Sequence, residues 1–435
     1  MQSNYNHSFQ PHPTQLDKST RANHVFQSIL KYNESIIQNN PSGANAKFQR
    51  LQLSPFIFMR GTADLMYQDL AGTDADKALV FCVGDVHLEN FGVMECEDGR
   101  LTWGVNDFDE ATFAPFTWDV KRGAVSVFLA ADENGFAEKQ SKKLTKTFAK
   151  AYLKHIQEGL SKETDDYLKI ILIKELLQSV EKIDATTWLK KCYLDSKSLL
   201  PVFKSTKKLK PLTEPFLEKK MPIVQQAIND YLVRLKRDQP NAPDNIQVLD
   251  LATKTGSGTA SIGLWRYYIL AEVRHGEHTE LMILEMKQMR PSVLSPYVYQ
   301  HPLLFSSEGE RVSYAENLHL QNANPYYGYT DLENLTYLVR KRSAYKSRIK
   351  ISEHADYDDF KTYVQACGNA LAHAHLLSNA QHYGKNNAAQ AILNSINVNN
   401  FTKTTSAFAT KMAKQVIVDW KSFIKNCKDR MVVFE

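Results

Sequence analysis

The sequence predicts an α+β fold in which a helix-rich large lobe joins a small antiparallel β lobe. Three patterns carry that reading. Short apolar strands run into acidic loops between residues 78 and 110. A 3.6-residue apolar period follows Trp118. Between about 246 and 287, three strand-like stretches succeed one another around glycine-containing turns.

The elements follow in order. Residues 1–20, rich in Gln, Asn, His and Pro, read as a disordered tail. A helix is predicted over about 21–37, a loop at 39–43 and a short extended piece at 56–61. Ala78-Leu79-Val80-Phe81-Cys82-Val83 is a short apolar run ending at Gly84, the pattern of a strand buried on both faces. Beyond the loop Gly84-Asp85-Val86-His87-Leu88-Glu89-Asn90, residues 91–95 form a second strand. Glu97-Asp98-Gly99 is a hairpin turn, because Asp-Gly tolerates positive φ. Leu101, Trp103 and Val105 alternate as the return strand, which ends at Asn106-Asp107-Phe108-Asp109-Glu110. The hairpin therefore brings two acidic clusters to neighbouring strand ends.

Val120, Ala124, Val125, Phe128 and Leu129 share one helical face. Further helices are predicted at about 136–160, 164–182 and 221–238, with Pro222 in the first turn of the last. Residues 201–220 hold Lys204, Lys207, Lys208, Lys210, Lys219 and Lys220; they read as a solvated loop, with attraction of an acidic substrate as the alternative. Gln239-Pro240-Asn241-Ala242-Pro243-Asp244 marks a boundary. Strands at 246–253, 265–273 and 281–287 follow, then a helix at about 308–321, a strand near 335–340, and helices from about 357 to the end. The expected units are 21–240 for the large lobe with its acidic loops, 241–350 for the β lobe, and 351–435 for helices completing the large lobe.

Composition narrows the function class. A net charge of +5 over 435 residues is too small to predict a nucleic-acid partner. Cys82, Cys96, Cys192, Cys367 and Cys427 are scattered without a CxxC pair, which fits a reducing cytoplasm and argues against a disulfide framework or a zinc site. The polar N-terminus is no secretory signal, and no apolar run is long enough to span a bilayer, so no membrane association is predicted.

The chemistry centres on the two acidic loops. Phosphoryl transfer needs a carboxylate near the attacking hydroxyl and oxygen ligands for magnesium. Asp85 suits the first role. The amide oxygen of Asn90 and the carboxylate of Asp107 suit the second, and Asp109 suits a second ion or loop shaping. His87 is placed to hydrogen-bond a ligating carboxylate and fix its orientation. An isolated GDxHxxN string is equally well a polar turn; the second cluster across the hairpin is what lifts it above that. In the later turn, Gly256, Ser257 and Gly258 let the backbone approach a phosphate. That turn joins two strands, so it is neither a Walker loop nor a dinucleotide fingerprint. Strand, glycine loop, strand, turn and strand ending at Lys287 is the layout of a kinase small lobe, with Lys287 as the phosphate-binding lysine. Glu316 or Glu310 would hold that lysine. Arg60 suits either a phosphate contact or a structural ion pair, and His373 and His375 suit packing or capping.

The strings 84–90, 106–110 and Pro115-Phe116-Thr117-Trp118-Asp119 resemble elements of aminoglycoside-phosphotransferase-like kinases. They resemble more closely a bacterial family of unknown function, number two-two-five-two, of the protein-kinase-like superfamily. The similarity extends from about residue 46 and takes in Phe58-Met59-Arg60-Gly61, the Gly256–Gly263 loop, Glu285-Met286-Lys287, Tyr337-Leu338-Val339-Arg340 and Ala370-Leu371-Ala372-His373-Ala374-His375. It implies a two-lobed protein-kinase-like fold using ATP and Mg2+, with Asp85 as catalytic-loop aspartate, Asn90 and Asp107 on the metal, and Lys287 on phosphate. Asp119 would hydrogen-bond the catalytic loop. Because the glycine loop and lysine follow the catalytic loop here, the implied fold is circularly permuted. The function expected is phosphotransfer to an acceptor hydroxyl that the sequence does not specify. Non-catalytic nucleotide binding, AMP transfer and metal-dependent phosphohydrolysis are the alternatives.

Overall fold

The chain begins with helices, and their caps explain where they start. In the computed structural model, which describes residues 12–160, 164–255, 262–298, 305–320, 323–350, 356–383 and 387–434, the Asp17 carboxylate accepts the Ser19 and Thr20 N–H groups and starts α1 (Lys18–Tyr32). The expected tail therefore does not reach residue 20; residues 1–11 of it lie outside the described residues. Next come α2 (Glu34–Asn39), α3 (Pro41–Leu51), α4 (Pro55–Gly61) and α5 (Ala63–Leu70). The predicted loop at 39–43 is thus the end of α2 and the start of α3, and the predicted extended piece at 56–61 is the body of α4. Asn40 and Ser54 cap, and Pro41 and Pro55 occupy the first helical position, where a missing N–H costs nothing.

β1 (Leu79–Cys82) precedes the first acidic loop. β2 (Phe91–Glu95) and β3 (Leu101–Val105) form the expected hairpin, with Phe91 opposite Val105 and Gly99 at φ +77° in the turn. A strand the sequence reading missed, β4 (Thr112–Pro115), pairs antiparallel with β1, Phe81 opposite Phe113. It sits between the acidic loop 106–110 and the helix that follows, α6 (Phe116–Glu133). Then come α7 (Glu138–Glu158), α8 (Ile171–Glu181), α9 (Ala185–Tyr193), the short β5 (Leu209–Pro211) and α10 (Phe216–Asp238). Pro222 lies inside α10, not in its first turn, because the helix is already started at Thr213, whose carbonyl accepts the Phe216 and Leu217 N–H groups.

β6 (Asn245–Lys254), β7 (Arg266–His275) and β8 (His278–Gln288) follow, then α11 (Glu308–His319), β9 (Gly328–Leu332) and β10 (Leu335–Lys341). The antiparallel sheet runs β5-β6-β7-β8-β10-β9. Strand alternation divides its side chains. Tyr267, Ile269, Leu284, Met286, Tyr337 and Val339 pack with α10 on one side. Arg266, Tyr268, Glu285, Lys287, Leu338 and Arg340 belong to the other, in the register Arg266–Lys287–Leu338 and Tyr268–Glu285–Arg340. The chain closes with α12 (Tyr357–Tyr383), α13 (Ala388–Asn394) and α14 (Val398–Asp429).

The architecture is therefore α+β, with the larger core built from both ends of the sequence: Phe26, Phe58, Val125, Phe148, Leu371 and Phe423 belong to one buried cluster. Arg21 fixes α1 to α5 and α14 through Asp69 (2.5 Å) and Asp419 (2.6 Å). α11 was grouped with the β lobe by position, yet its Ala315 and Leu318 belong to this large core. Among the described residues no helix is long and apolar enough to cross a membrane.

Gly84 is a position where only glycine fits. Its φ is +85°, and a Cβ there would stand 2.2 Å from the Glu110 carbonyl oxygen. Gly84→Ala is expected to destabilise the fold by roughly 3 kcal/mol or more, from positive-φ strain plus a backbone clash. A urea unfolding midpoint unchanged from wild type would contradict this.

Candidate functional site

The loop 84–90 is held from beneath by α6, a helix buried almost all round. Polar residues on such a helix must find partners, and three do so on this one loop. Asp119 accepts the Val83 N–H (2.6 Å) and the Gly84 N–H (3.0 Å). Arg122 donates to the Asp85 carboxylate through Nε (3.0 Å) and Nη2. The Ser126 hydroxyl accepts the Leu88 N–H (2.8 Å). The spacing Asp119, Arg122, Ser126 is i, i+3, i+7, one stripe of the helix. From the other side, Tyr67 donates to the Gly84 carbonyl and Tyr363 of α12 to the Leu88 carbonyl (2.7 Å).

His375 reinforces Asp119 at 3.1 Å and meets the Tyr152 hydroxyl through Nδ1 at 2.8 Å. Cys82, Asp119 and His375 bring their ligand atoms within 4.8 Å of one another in the interior. The carboxylate is already occupied by two backbone N–H groups and the imidazole, so the cluster works as a hydrogen-bond relay that shapes the loop.

Asp85 is thereby fixed. Burial pushes its carboxyl up, and the Arg122 guanidinium opposes this. The amide nitrogen of Asn90 donates to the Asp85 carbonyl (2.8 Å), which leaves the amide oxygen as the side chain's acceptor. His87 is buried and held well below the usual imidazole range, by burial first and then by Arg60 and Arg122, so the ring is neutral. Its Nδ1 faces the Glu89 N–H (3.2 Å), and its Nε2 lies 3.3 Å from Arg60 Nε and 3.8 Å from Asp85 Oδ2. A neutral ring has one lone pair, so these two donors compete for it. Arg60 ends in an ion pair with Glu89 (2.6 Å), the structural alternative weighed for it, with a glutamate as partner.

The second cluster meets the sheet. Lys287, buried on β8, contacts the Asp109 carboxylate and lies 3.8 Å from Asp107 Oδ1. Asp109 is lowered to about 2: burial alone would raise it, and Lys287, Arg340 and Arg266 overcome that. The Asp107 side chain is 43% exposed, the most open carboxylate of the group. Arg311 of α11 shapes this loop by donating to the Asp109 carbonyl (2.9 Å) and to the Ala111 carbonyl.

Neither glutamate named for the lysine pairs with it. Glu310 lies in the first turn of α11, which Ser307 caps, and accepts the Ser306 N–H and hydroxyl at 2.6 Å each. Glu316 takes Arg340 Nη1 at 3.3 Å. Arg340 also grips Glu285 at 2.8 Å, and Arg266 holds the other oxygen of Glu285 at 2.9 Å. The correction has a simple cause: Lys287 reaches the acidic loop directly, and the adjacent strand supplies an arginine for the helix glutamate. Among the described residues Glu316 Oε2 is buried without a hydrogen-bond partner, so burial outweighs Arg340 and lifts its carboxyl to about 7. A raised folded-state carboxyl binds protons that the unfolded chain has released, so stability falls as pH rises between about 4.5 and 7. Glu316→Gln is expected to remove that dependence, on the order of 2 kcal/mol, in chemical denaturation at pH 5 and pH 8. An identical pH dependence in wild type and variant would contradict it. Gly256, Ser257 and Gly258 lie outside the described residues.

Arg122, Glu285 and Arg340 were missed from sequence. For Arg122 a signal exists: a polar stripe with Asp119 and Ser126 on a helix that is otherwise apolar. For Glu285, strand alternation put it on the same face as Lys287, but the face of Arg340 and its pairing needed the sheet order.

The model of the family described as an uncharacterized protein conserved in bacteria (DUF2252) covers residues 39–426. No curated protein and no solved structure matches the chain. With 388 of 435 residues inside that match (426 − 39 + 1), the chain belongs to the DUF2252 family.

Proposed function

We propose that this chain is an ATP- and Mg2+-dependent phosphotransferase with a protein-kinase-like fold in circularly permuted order. The observation that carries the reading is the meeting of Lys287 with Asp107 and Asp109 across 178 residues of sequence, beside a loop that presents Asp85 and Asn90. A lysine from an antiparallel sheet, two carboxylates and an amide oxygen are the parts that phosphoryl transfer uses.

The donor set fits magnesium, a hard cation that takes oxygen ligands. Asp107, Asp109 and the Asn90 amide oxygen would hold it, and when bound it would neutralise phosphate charge. Lys287 and Asp109 neutralise one another in its absence. On nucleotide binding the lysine would exchange carboxylate for phosphate, which keeps every buried charge partnered. Asp85, held by Arg122 with its second oxygen toward His87, orients the acceptor hydroxyl and takes its proton. His87, neutral and braced by Arg60 and Glu89, limits the movement of that carboxylate. α12 supports the permuted order: Tyr363 donates to the Leu88 carbonyl of the loop and His375 meets Asp119, which holds the Gly84 N–H, although α12 follows the loop by more than 250 residues.

ATP turnover by wild type beside Asp85→Ala, Asp107→Ala and Lys287→Ala tests the assignment. Wild type is expected to turn over ATP and each variant to lose that activity; undiminished turnover in all three rejects the site. Label placement from α- and γ-labelled ATP distinguishes phosphoryl from AMP transfer, and ATP binding without turnover in wild type marks a non-catalytic nucleotide binder.

A further inference from the structure

The site-facing side of the sheet carries more cations than its carboxylates match. Arg266 and Arg340 are paired with Glu285, and Lys287 with Asp107 and Asp109. Three further cations at the adjoining edge have no carboxylate partner among the described residues. Lys254 ends β6. Lys208 stands exposed beside it, its carbonyl accepting the Thr255 N–H at 3.0 Å. Arg342 continues β10, its N–H bonded to the Ile283 carbonyl at 2.8 Å. Burial disfavours the charge on Lys254, and Lys208, Arg342 and Arg266 all add to that, with Glu285 alone opposing.

These cations sit on an aromatic shelf. Arg342 lies over the Trp188 ring at 5.5 Å, and Lys254 lies 6.0 Å from the Tyr268 ring centre. Trp188 and Tyr193 of α9 meet at 5.0 Å, and Tyr193 meets Tyr268 at 5.8 Å. The shelf is fastened to the sheet. Leu194 bridges to Phe203, the Lys204 N–H bonds the Tyr193 carbonyl (2.8 Å), and the Phe203 N–H bonds Asp250 (2.7 Å). The lysine-rich stretch after residue 201 is therefore not wholly a solvated loop: β5 joins the sheet and delivers Lys208 to this edge.

Glu285 acts on Lys254 and Arg342 without an ion pair to either among the described residues, and like charges gathered in excess of their counter-ions cost free energy that an arriving anion relieves. A planar guanidinium beside two point-charge ammoniums matches a multiply charged phosphate better than a single carboxylate. We propose that Lys208, Lys254 and Arg342 form an anion subsite on the Trp188–Tyr193–Tyr268 shelf, which takes a phosphate-bearing acceptor next to the nucleotide. The acceptor assignment rests on the phosphotransferase reading; the subsite rests on the cations alone.

Inorganic pyrophosphate titrated into the full chain without magnesium, at low salt and followed by calorimetry, tests the subsite. Wild type is expected to bind. Lys254→Gln is expected to weaken binding about tenfold, the scale of one charge-assisted contact. Lys208→Glu, at an exposed position, is expected to weaken it further. No binding by wild type, or binding by the Lys208→Glu and Lys254→Gln variants equal to that of wild type, overturns the subsite. Repeating the titration with a saturating non-hydrolysable ATP analogue and magnesium identifies the occupant. Retained pyrophosphate binding supports a separate acceptor, and loss of it by competition overturns the acceptor assignment. If the chain binds pyrophosphate through these cations but does not bind ATP with magnesium, the phosphotransferase reading fails and the anion subsite stands.

Discussion

Arg122→Met is expected to lower stability by about 3–5 kcal/mol, the range for removing one partner of a buried ion pair. Arg122 is fully buried, and two of its nitrogens serve Asp85 while Nη2 also donates to the Met59 carbonyl at 3.1 Å. Methionine fills much of the volume and supplies no donor. The carboxylate is then left in the interior with its oxygens unpartnered. Asp85 has one relief, which is to bind a proton. Burial already pushes it upward, and the Arg122 guanidinium is the main force opposing that. In the variant the folded chain therefore holds a proton on Asp85 that the unfolded chain releases near pH 4. The destabilisation should grow as pH rises above that value and shrink toward it. Urea unfolding of wild type and variant at pH 5 and pH 8 measures both effects. A loss below 1 kcal/mol that is independent of pH would show that the pair does not hold the loop.

Asp85→Asn is expected to reduce phosphoryl transfer by about 10²- to 10⁴-fold, the usual contribution of a positioned general base. Asparagine is nearly isosteric and keeps an oxygen for Arg122, so the loop geometry has the best chance of surviving. The nucleotide contacts assigned to Lys287, Asp107 and Asn90 are separate, so binding of ATP with magnesium should change little. That split, with kcat lost and affinity kept, belongs to a group acting in the transition state. Equal losses of affinity and kcat would move Asp85 from base to ligand. Unchanged kcat would remove it from the mechanism.

Much of this site was readable from residue order because its parts are local. The run to Gly84, the Asp98-Gly99 turn and the alternation Leu101, Trp103, Val105 all depend on neighbours in sequence, and together they bring Asp85 and Asp107 to adjoining strand ends. The sheet from residue 245 was readable for the same reason, with its length and alternation intact. What escaped was long-range or set by capping. β4 is only four residues and becomes a strand by pairing with β1. α3 and α4 begin at Asn-Pro and Ser-Pro steps, which also serve as loop signals. The partner of Lys287 was sought on a helix, by analogy with a lysine–glutamate pair, whereas the acidic loop lies closer. Glu285 and Arg340 became partners only once β10 was found beside β8. The resemblance supplied Asp119 as a loop brace. Its helical neighbours Arg122 and Ser126, which complete the brace, follow from the spacing of polar residues on a buried helix.

The central claim is that two sequence-distant halves, the acidic loops and the β8 lysine, form one nucleotide site. Calorimetric titration of ATP into wild type, Asp107→Ala and Lys287→Ala, each with magnesium and with EDTA, tests it most directly. The account predicts tight binding to wild type only with magnesium, loss of the magnesium dependence in Asp107→Ala, and weakened binding in Lys287→Ala. Binding by both variants that matches wild type in affinity and in its response to magnesium would contradict it.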